Sequence, residues 1–296
     1  MGFFCSCEII LVMNKQVFYA ILTIALIPIG LFLIVMKMTV APQPMHHAPV
    51  QIVTDNVAYQ QIAQAVADTS GQVSLLSGGL TYKNEKSVFR DAEVLVTDSH
   101  QNQLLTQRRQ LKLHSKILVA SDVVKNQENT NYWLSPEITL KTITRLSDLL
   151  SDLDPSNRNH YISNSQKLTD QTQALSDGID ALKQEKNVHY VATNNAQQLF
   201  MTQLSYTSEM TNVESASNED FDKLTKKIRN KRVRFLLTAS QDQSDRDRQL
   251  VALAKNANVP VITFNQVLPA GQKVWQWQLT FVEQLQAVFK PVGSDK

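Results

Sequence analysis

The sequence predicts an α/β protein of two lobes, each with a mainly parallel β-sheet flanked by helices, joined by one long backbone helix. Three observations lead to this fold class. Short β-branched runs alternate with amphipathic helical segments in both halves of the chain, as in βαβ units. A helical pattern separates the two halves over residues 156–186. The uncharged run Phe18–Met36 precedes both halves and is typical of a transmembrane anchor.

The uncharged run is the first element of the chain. Its 19 residues, at about 1.5 Å each, nearly span a hydrocarbon core of roughly 30 Å. Signal-peptide cores are shorter, about 7–15 residues, and Pro42 directly follows the small-residue cleavage candidate at 39–41. We therefore expect residues 1–37 to hold an uncleaved anchor, with a cleaved signal peptide as the alternative. Residues 38–49 contain three prolines and form a short, stiff linker.

The first lobe is expected over residues 50–155. Val57–Ala67 predicts a helix because its apolar residues fall on one face. Ser135 followed by Pro136 predicts a second helix, with serine as the N-cap and proline at the first helical position. Short apolar, β-branched runs predict strands at residues 50–55, 72–76, 93–97 and 116–120.

The joining helix is expected over residues 156–186. Asp154 and Pro155 give its start signal. A helical face is formed by Tyr161, Leu168, Leu175, Ile179 and Leu182. Some 30 residues at 1.5 Å make a rod of about 45 Å, which is longer than one small lobe. We therefore expect a nearly continuous helix that packs along both lobes.

The second lobe is expected over residues 187–296. Ser217 with Asp220 resembles a capping box and predicts a helix start. The chain ends in an amphipathic helix containing Trp275 and Trp277, of which we expect one ring in the core and the other partly exposed. Strands are predicted at residues 188–193, 233–238 and 259–264.

Composition excludes several classes of function. The chain has 29 Lys and Arg against 27 Asp and Glu, whereas a nucleic-acid binder shows a clear basic excess. With 8 glycines it has no glycine-rich phosphate loop. Its cysteines, Cys5 and Cys7, precede the folded part, so neither a disulfide framework nor a cysteine-ligated zinc site is expected there. No Ser/His/Asp or paired-carboxylate spacing indicates an enzyme, so no catalytic residue is expected.

Two stretches are specific enough to identify a family. Residues 133–136 form a W-L-S-P box, and residues 150–168 contain the pattern L-x-x-L-D-P-x-N-x-x-x-Y-x-x-N. Together with residues 50–67 they resemble the metal-binding solute-binding proteins of ABC transporters, the zinc and manganese receptors. The resemblance covers about residues 50–290. It implies a two-lobed fold, capture of zinc or manganese outside the cytoplasm, and an ABC permease as partner.

The resemblance also places the family's metal ligands, which are three histidines and one carboxylate. The segment of the first histidine contains none here, and Tyr82 is its nearest polar ring. Asn131 stands at the second histidine position and Asn194 at the third. The carboxylate position falls on Ala239 or Ser240. All four positions therefore lack the family's ligand type.

The expected ligand cleft consequently carries no formal charge. Its candidate residues are Tyr82, Asn131, Trp133, Thr193, Asn194 and Gln241. Zinc is held by imidazole, thiolate or carboxylate groups, whereas amides suit a neutral polar solute because they both donate and accept hydrogen bonds. We expect no tight zinc or manganese binding at the family's positions. A different metal site, from His100, His114 and an acid, stays open.

Two hypotheses of function follow. The leading one is an extracytoplasmic solute-binding protein of an ABC import system, with an eroded metal site. The alternative is a membrane-anchored binding or adhesion module on the same scaffold, with a non-metal ligand. In both, we expect a monomer that binds no nucleic acid. Its N-terminal helix is expected to hold it at the cell membrane, with the body outside the cytoplasm.

Overall fold

A computed structural model describes residues 19, 22–24, 26–32, 48–77, 80–124, 131–210, 213–241 and 243–290. Its contacts divide the chain into a unit of residues 1–47 and a compact unit of residues 48–296. The described residues of the predicted anchor are helical, and its other positions, like linker residues 38–47, lie outside the described residues. Within the described part of the chain, no helix is both long and apolar enough to cross a membrane.

The first lobe contains a parallel four-stranded sheet, as predicted. Its central strand β1 pairs with β2 on one side and with β3 on the other, giving the order β2-β1-β3-β4. The strands are β1 (Val50–Thr54), β2 (Gly71–Leu75), β3 (Val94–Thr97) and β4 (Lys116–Val119). The helices are α1 (Val57–Ala67), α2 (Lys83–Asp91) and α3 (Gln103–Gln110).

The second lobe repeats this topology with the order β6-β5-β7-β8, again entirely parallel. Its strands are β5 (His189–Ala192), β6 (Thr207–Met210), β7 (Phe235–Ala239) and β8 (Val261–Phe264). Between and after them lie α7 (Gln198–Gln203), α8 (Asn218–Arg229), α9 (Asp245–Asn256) and α10 (Val274–Ala287). The three predicted strands are confirmed to within two residues, whereas β6 and α7 were not predicted.

Three helices join the lobes: α4 (Pro136–Leu153), α5 (Arg158–Gln171) and α6 (Gln173–Gln184). The prediction was one nearly continuous helix over residues 156–186, and the structure has α5 and α6 with a single-residue interruption at Thr172, which has φ −98° and ψ 6°. Backbone bonds from Thr172 to Leu168 and from Ser176 to Thr172 continue the helical pattern on both sides of it. The hydroxyl of this buried threonine donates to the carbonyl of Thr169 at 3.0 Å, a local bond that competes with regular helix.

The division at Thr172 coincides with a change of packing partner. Helix α5 packs on α1 of the first lobe, whereas α6 packs closely on α10. At Gly178 of α6, an added Cβ atom would lie 2.6 Å from the Val282 side chain. The interruption therefore lets α5 and α6 each pack on a different helix, while α4 contacts both of them.

The largest hydrophobic core cluster is shared by the two lobes. It includes Ile52 and Val96 of the first sheet, Tyr190 and Phe235 of the second, and Ile138 between them. Smaller clusters lie on the outer face of each sheet. The shared core fixes the two sheets within one body and positions the loops that leave their carboxyl ends.

Candidate functional site

The carboxyl ends of the parallel strands carry the polar residues of interest, as is usual for ligand sites in α/β proteins. In the first lobe, Asp55 follows β1 and Asp98 follows β3. In the second lobe, Thr193 follows β5 and Ser240 follows β7. Asn265 follows β8. The two ends therefore differ in charge.

Asp98 anchors the turn that begins the W-L-S-P box. Its buried carboxylate accepts hydrogen bonds from the Tyr59 hydroxyl at 2.5 Å and from the backbone amides of Tyr132 and Trp133, both at 2.9 Å. Burial raises the pKa of Asp98, although these three donors lower it in part. Because Asp98 receives three bonds from protein groups, we assign it a structural role.

Asp55 lies beside Asp98 and is also held by protein donors. Its Oδ2 atom accepts from the Asp98 amide at 2.8 Å and from the Asn102 side chain at 2.6 Å. Its Oδ1 atom is buried and has no hydrogen-bond partner in the described structure. Burial is the main cause that raises the pKa of Asp55 from 3.8 to about 7. Sequence reasoning missed both acids, although Val-Thr-Asp ends both strands.

The predicted cleft residues occupy different environments. Tyr82 precedes α2 and has 66% of its surface exposed. Asn131 is half-buried and precedes the Tyr132–Leu134 turn. Thr193 is buried, while Gln241 is exposed. Asn194 is half-buried, and its Oδ1 atom accepts from the Ala196 amide at 3.0 Å.

The two positions considered for the family's carboxylate are both uncharged. Ala239 ends β7 and is buried. The exposed Ser240 hydroxyl donates to the Asn265 side-chain oxygen. Among the described residues no group of three or more His, Cys, Asp or Glu could hold a metal ion. The Nε2 atom of His100 lies 2.5 Å from the Asp122 carboxylate. In the part of the chain that the structure describes, no third His, Cys, Asp or Glu completes a metal site with this pair.

Trp133, the remaining predicted cleft residue, joins the lobes. Its buried ring stacks on Trp277 of α10 with centroids 5.5 Å apart. The Gln278 side-chain amide donates to the Trp133 carbonyl and to the Thr139 hydroxyl, both at 2.9 Å. Trp275 is buried and Trp277 is half-buried, which confirms the prediction of one core ring and one partly exposed ring.

Two further contacts fasten the first lobe to the second. The Ser135 hydroxyl, which caps α4, donates to the Gln203 side chain of α7 at 2.6 Å. Gln61 of α1 donates to the Gln272 carbonyl at 2.9 Å and accepts from the Val274 amide at 2.8 Å. The W-L-S-P box is therefore a structural joint as well as a sequence marker.

A cavity of about 190 Å³ lies next to this joint, at the carboxyl end of β8. Its walls come from α10, from β8 and the loop between β8 and α10, and from Leu134 and Gln197. One of the lining residues, Asn265, accepts a hydrogen bond from Ser240. The cavity therefore adjoins, through Asn265, a candidate for the family's carboxylate position.

Comparison with solved structures shows the same fold in proteins of low sequence identity. A mutant of the laminin-binding adhesin Lmb from Streptococcus agalactiae is 14% identical, with a TM-score of 0.61 over 81% of this chain and 100% of that one. A periplasmic metal-binding protein from Candidatus Liberibacter asiaticus is 13% identical, with a TM-score of 0.63 over 82% of this chain and 100% of that one.

The Mn-bound form of the latter protein is 14% identical, with a TM-score of 0.62 over 82% of this chain and 100% of that one. No curated protein sequence matches the chain. A family model described as the periplasmic component A of the zinc-uptake complex matches residues 53–289. Because this match covers most of the sequence, the chain belongs to the family of periplasmic zinc-uptake component A.

Proposed function

We propose that this chain is a solute-binding component of an ABC importer whose cleft has lost the metal ligands of its family. The observation that carries the proposal is the set of residues at the ligand positions. Asn131 and Asn194 replace two histidines, and Ser240 is the candidate at the carboxylate position. The Asn194 and Ser240 side chains make hydrogen bonds as neutral groups.

Zinc and manganese do not fit this donor set. Zinc requires imidazole, thiolate or carboxylate donors, and neutral amide oxygens are minor ligands of harder cations. Nothing at these positions offsets the cost of removing water from a divalent cation. The nearby Asp98 does not supply the missing charge, because its carboxylate is occupied by three protein donors. An uncharged polar solute suits such a cleft better.

Back-substitution tests the assignment of the positions. The triple variant Asn131→His, Asn194→His, Ser240→Glu restores two imidazoles and one carboxylate, so we expect it to bind zinc measurably by titration calorimetry. The matched control is Asn84→His, Asn230→His, Ser163→Glu, which adds the same groups at exposed positions away from the assigned ones. Equal zinc binding by the two variants would show that the assigned positions do not form a site.

The N-terminal run supports a proposal on location. Its 19 uncharged residues, with Pro42 after the small-residue cleavage candidate, favour an uncleaved anchor that holds the body outside the cytoplasm. We expect N-terminal sequencing of the membrane fraction to find Phe18–Met36 retained. A mature chain that begins near residue 42, or recovery from the culture medium, would refute the anchor.

A second candidate function is a membrane-anchored binding or adhesion module with a non-metal ligand. The shared fold of the laminin-binding adhesin is the observation that favours it. A neighbouring gene for an ABC permease would favour the importer, and an isolated gene would favour the module. In either role we propose a monomer without catalytic activity, since the sequence shows no catalytic spacing.

A further inference from the structure

The cavity beside the W-L-S-P joint has walls without formal charge. Five of its lining residues are amides, among them Gln197 and Gln278, and three are aromatic, Phe264, Trp277 and Phe281. An ionic ligand would lose its hydration there without gaining a counter-charge. The walls instead suit a ligand with an apolar face and several hydroxyl groups.

Two of the amides are buried and incompletely hydrogen-bonded. Gln197 and Gln278 are 3% and 2% exposed, and their Oε1 atoms have no donor in the described structure. The Gln278 amide nitrogen donates to the Trp133 carbonyl, so its Oε1 atom is the acceptor that is left without a donor. A buried acceptor without a donor costs about 1–3 kcal/mol. A ligand hydroxyl, after a small side-chain adjustment, would supply such a donor.

The volume suits a small ring. A cavity of about 190 Å³ holds on the order of ten water molecules at roughly 15 Å³ each, which is room for a six-membered ring with its hydroxyls. We propose that this cavity binds an uncharged, polyhydroxylated ring compound of monosaccharide size. The proposal deepens the function proposed above and rests on the cleft being a site for a neutral solute.

Binding to the full chain tests this ligand class directly. The probes are glucose, N-acetylglucosamine and myo-inositol, measured by titration calorimetry and saturation-transfer NMR. The charged counterparts are glucosamine and glucuronate. We expect at least one neutral probe to bind with a Kd below about 1 mM, and its charged counterparts to bind at least about tenfold more weakly, which corresponds to 1.4 kcal/mol.

A pair of variants on α10 locates the site. Thr280 and Gln276 are both exposed and lie one turn apart, but of the two only Thr280 lines the cavity. Thr280→Trp fills the cavity, so we expect it to weaken binding by about tenfold or more. Gln276→Trp adds the same ring outside the cavity and should leave binding unchanged.

Three results would overturn the proposal: none of the neutral probes binds, the charged counterparts bind equally well, or Thr280→Trp leaves the affinity unchanged. A measurement of zinc binding distinguishes failure of this ligand proposal from failure of the proposed function. If the neutral probes fail while zinc also fails to bind, the ligand class alone is wrong. If the unmodified chain binds stoichiometric zinc at the family's positions, the proposed function is wrong as well.

Discussion

The two sheets have the same topology, but the side chains at their carboxyl ends differ in charge. The end of the first sheet carries two buried or half-buried acids, Asp55 and Asp98, whose bonds hold neighbouring loops. The end of the second sheet carries Asn194, Ser240 and Asn265, which are neutral and either half-buried or exposed. The comparison teaches that the same strand ends carry acids bonded to neighbouring loops in one lobe and uncharged side chains in the other.

The identical strand order of the two lobes shows that this difference does not come from the fold. In each lobe, the second strand along the chain (β2 or β6) forms one edge of the sheet, and the first strand (β1 or β5) lies next to it. Function resides in the side chains placed on such a scaffold. Family membership therefore identifies the scaffold of this protein, while the residues at the strand ends decide which solute it can hold.

Removing Asp98 is expected to cause the largest loss of stability. Asp98→Ala leaves three buried donors without their acceptor, at about 1 kcal/mol or more each. We expect denaturant unfolding to show a loss of about 3 kcal/mol. Asp152→Ala, at an exposed helical position, is the control and should change stability by less than about 0.5 kcal/mol. A loss as small as the control's would contradict the structural role of Asp98.

The neighbouring acid, Asp55, predicts that the stability of the protein depends on pH. Because burial raises the pKa of Asp55 from 3.8 to about 7, the folded protein keeps this proton at a pH where the unfolded chain has lost it. Its contribution to stability therefore falls as pH rises from about 4 to 7. Asp55→Asn retains an acceptor and removes the charge, so we expect its free energy of unfolding at pH 8 to exceed that of the wild type by up to about 4 kcal/mol, at about 1.4 kcal/mol per pKa unit.

The same stability difference should shrink as pH falls through 4 towards about 3, where Asp55 is mostly protonated in both states. Thermal or denaturant unfolding at several pH values measures it, with Asp152→Asn as the control for loss of an exposed carboxylate. A difference between Asp55→Asn and wild type that stays constant from pH 4 to 8 would show that Asp55 titrates alike in the folded and unfolded chain.

The neutral end of the second sheet predicts the smallest effect. Ser240→Ala removes one hydrogen bond, to Asn265, at an exposed position. We expect a loss of about 0.5 kcal/mol in denaturant unfolding. A loss comparable with that of Asp98→Ala would mean that both sheet ends are structural, and would remove the contrast between them.

Elements with strong local signals were predictable from the sequence. Val57–Ala67 is confirmed at both ends because its apolar face is unambiguous. The start of α4 is confirmed because Ser135 caps it through a side-chain bond and Pro136 occupies its first turn. The buried strands were recognised from their β-branched runs, since both faces of a parallel sheet are covered.

Elements with weak local signals were missed. Strand β6 lies at the edge of its sheet and reads Thr-Ser-Glu-Met, without the apolar run of a central strand. Helix α2 buries only Phe89, so its sequence lacks an apolar stripe. The interruption at Thr172 depends on tertiary support, because α5 and α6 pack on different helices. Helix propensity alone therefore does not predict the interruption.

Site residues were predictable only where they belong to a motif that lies within one short segment of the sequence. Asn131 and Asn194 were found by comparing short segments with the family pattern. Asp55 and Asp98 are 43 residues apart in sequence and meet because β1 and β3 are neighbours. Gln197 and Gln278 line the same cavity because α10 packs against it. No local sequence pattern predicts this packing.

The central claim is that this member of a zinc-uptake family has no zinc or manganese site at the family's positions. The most direct measurement is titration calorimetry of zinc and of manganese into the purified, metal-free full chain. With neutral side chains at Asn131, Asn194 and Ser240, we predict no binding tighter than about 1 µM, or 8.2 kcal/mol. Stoichiometric zinc binding at about 1 nM, lost on substitution of Asn131 and Asn194 by alanine, would contradict the claim.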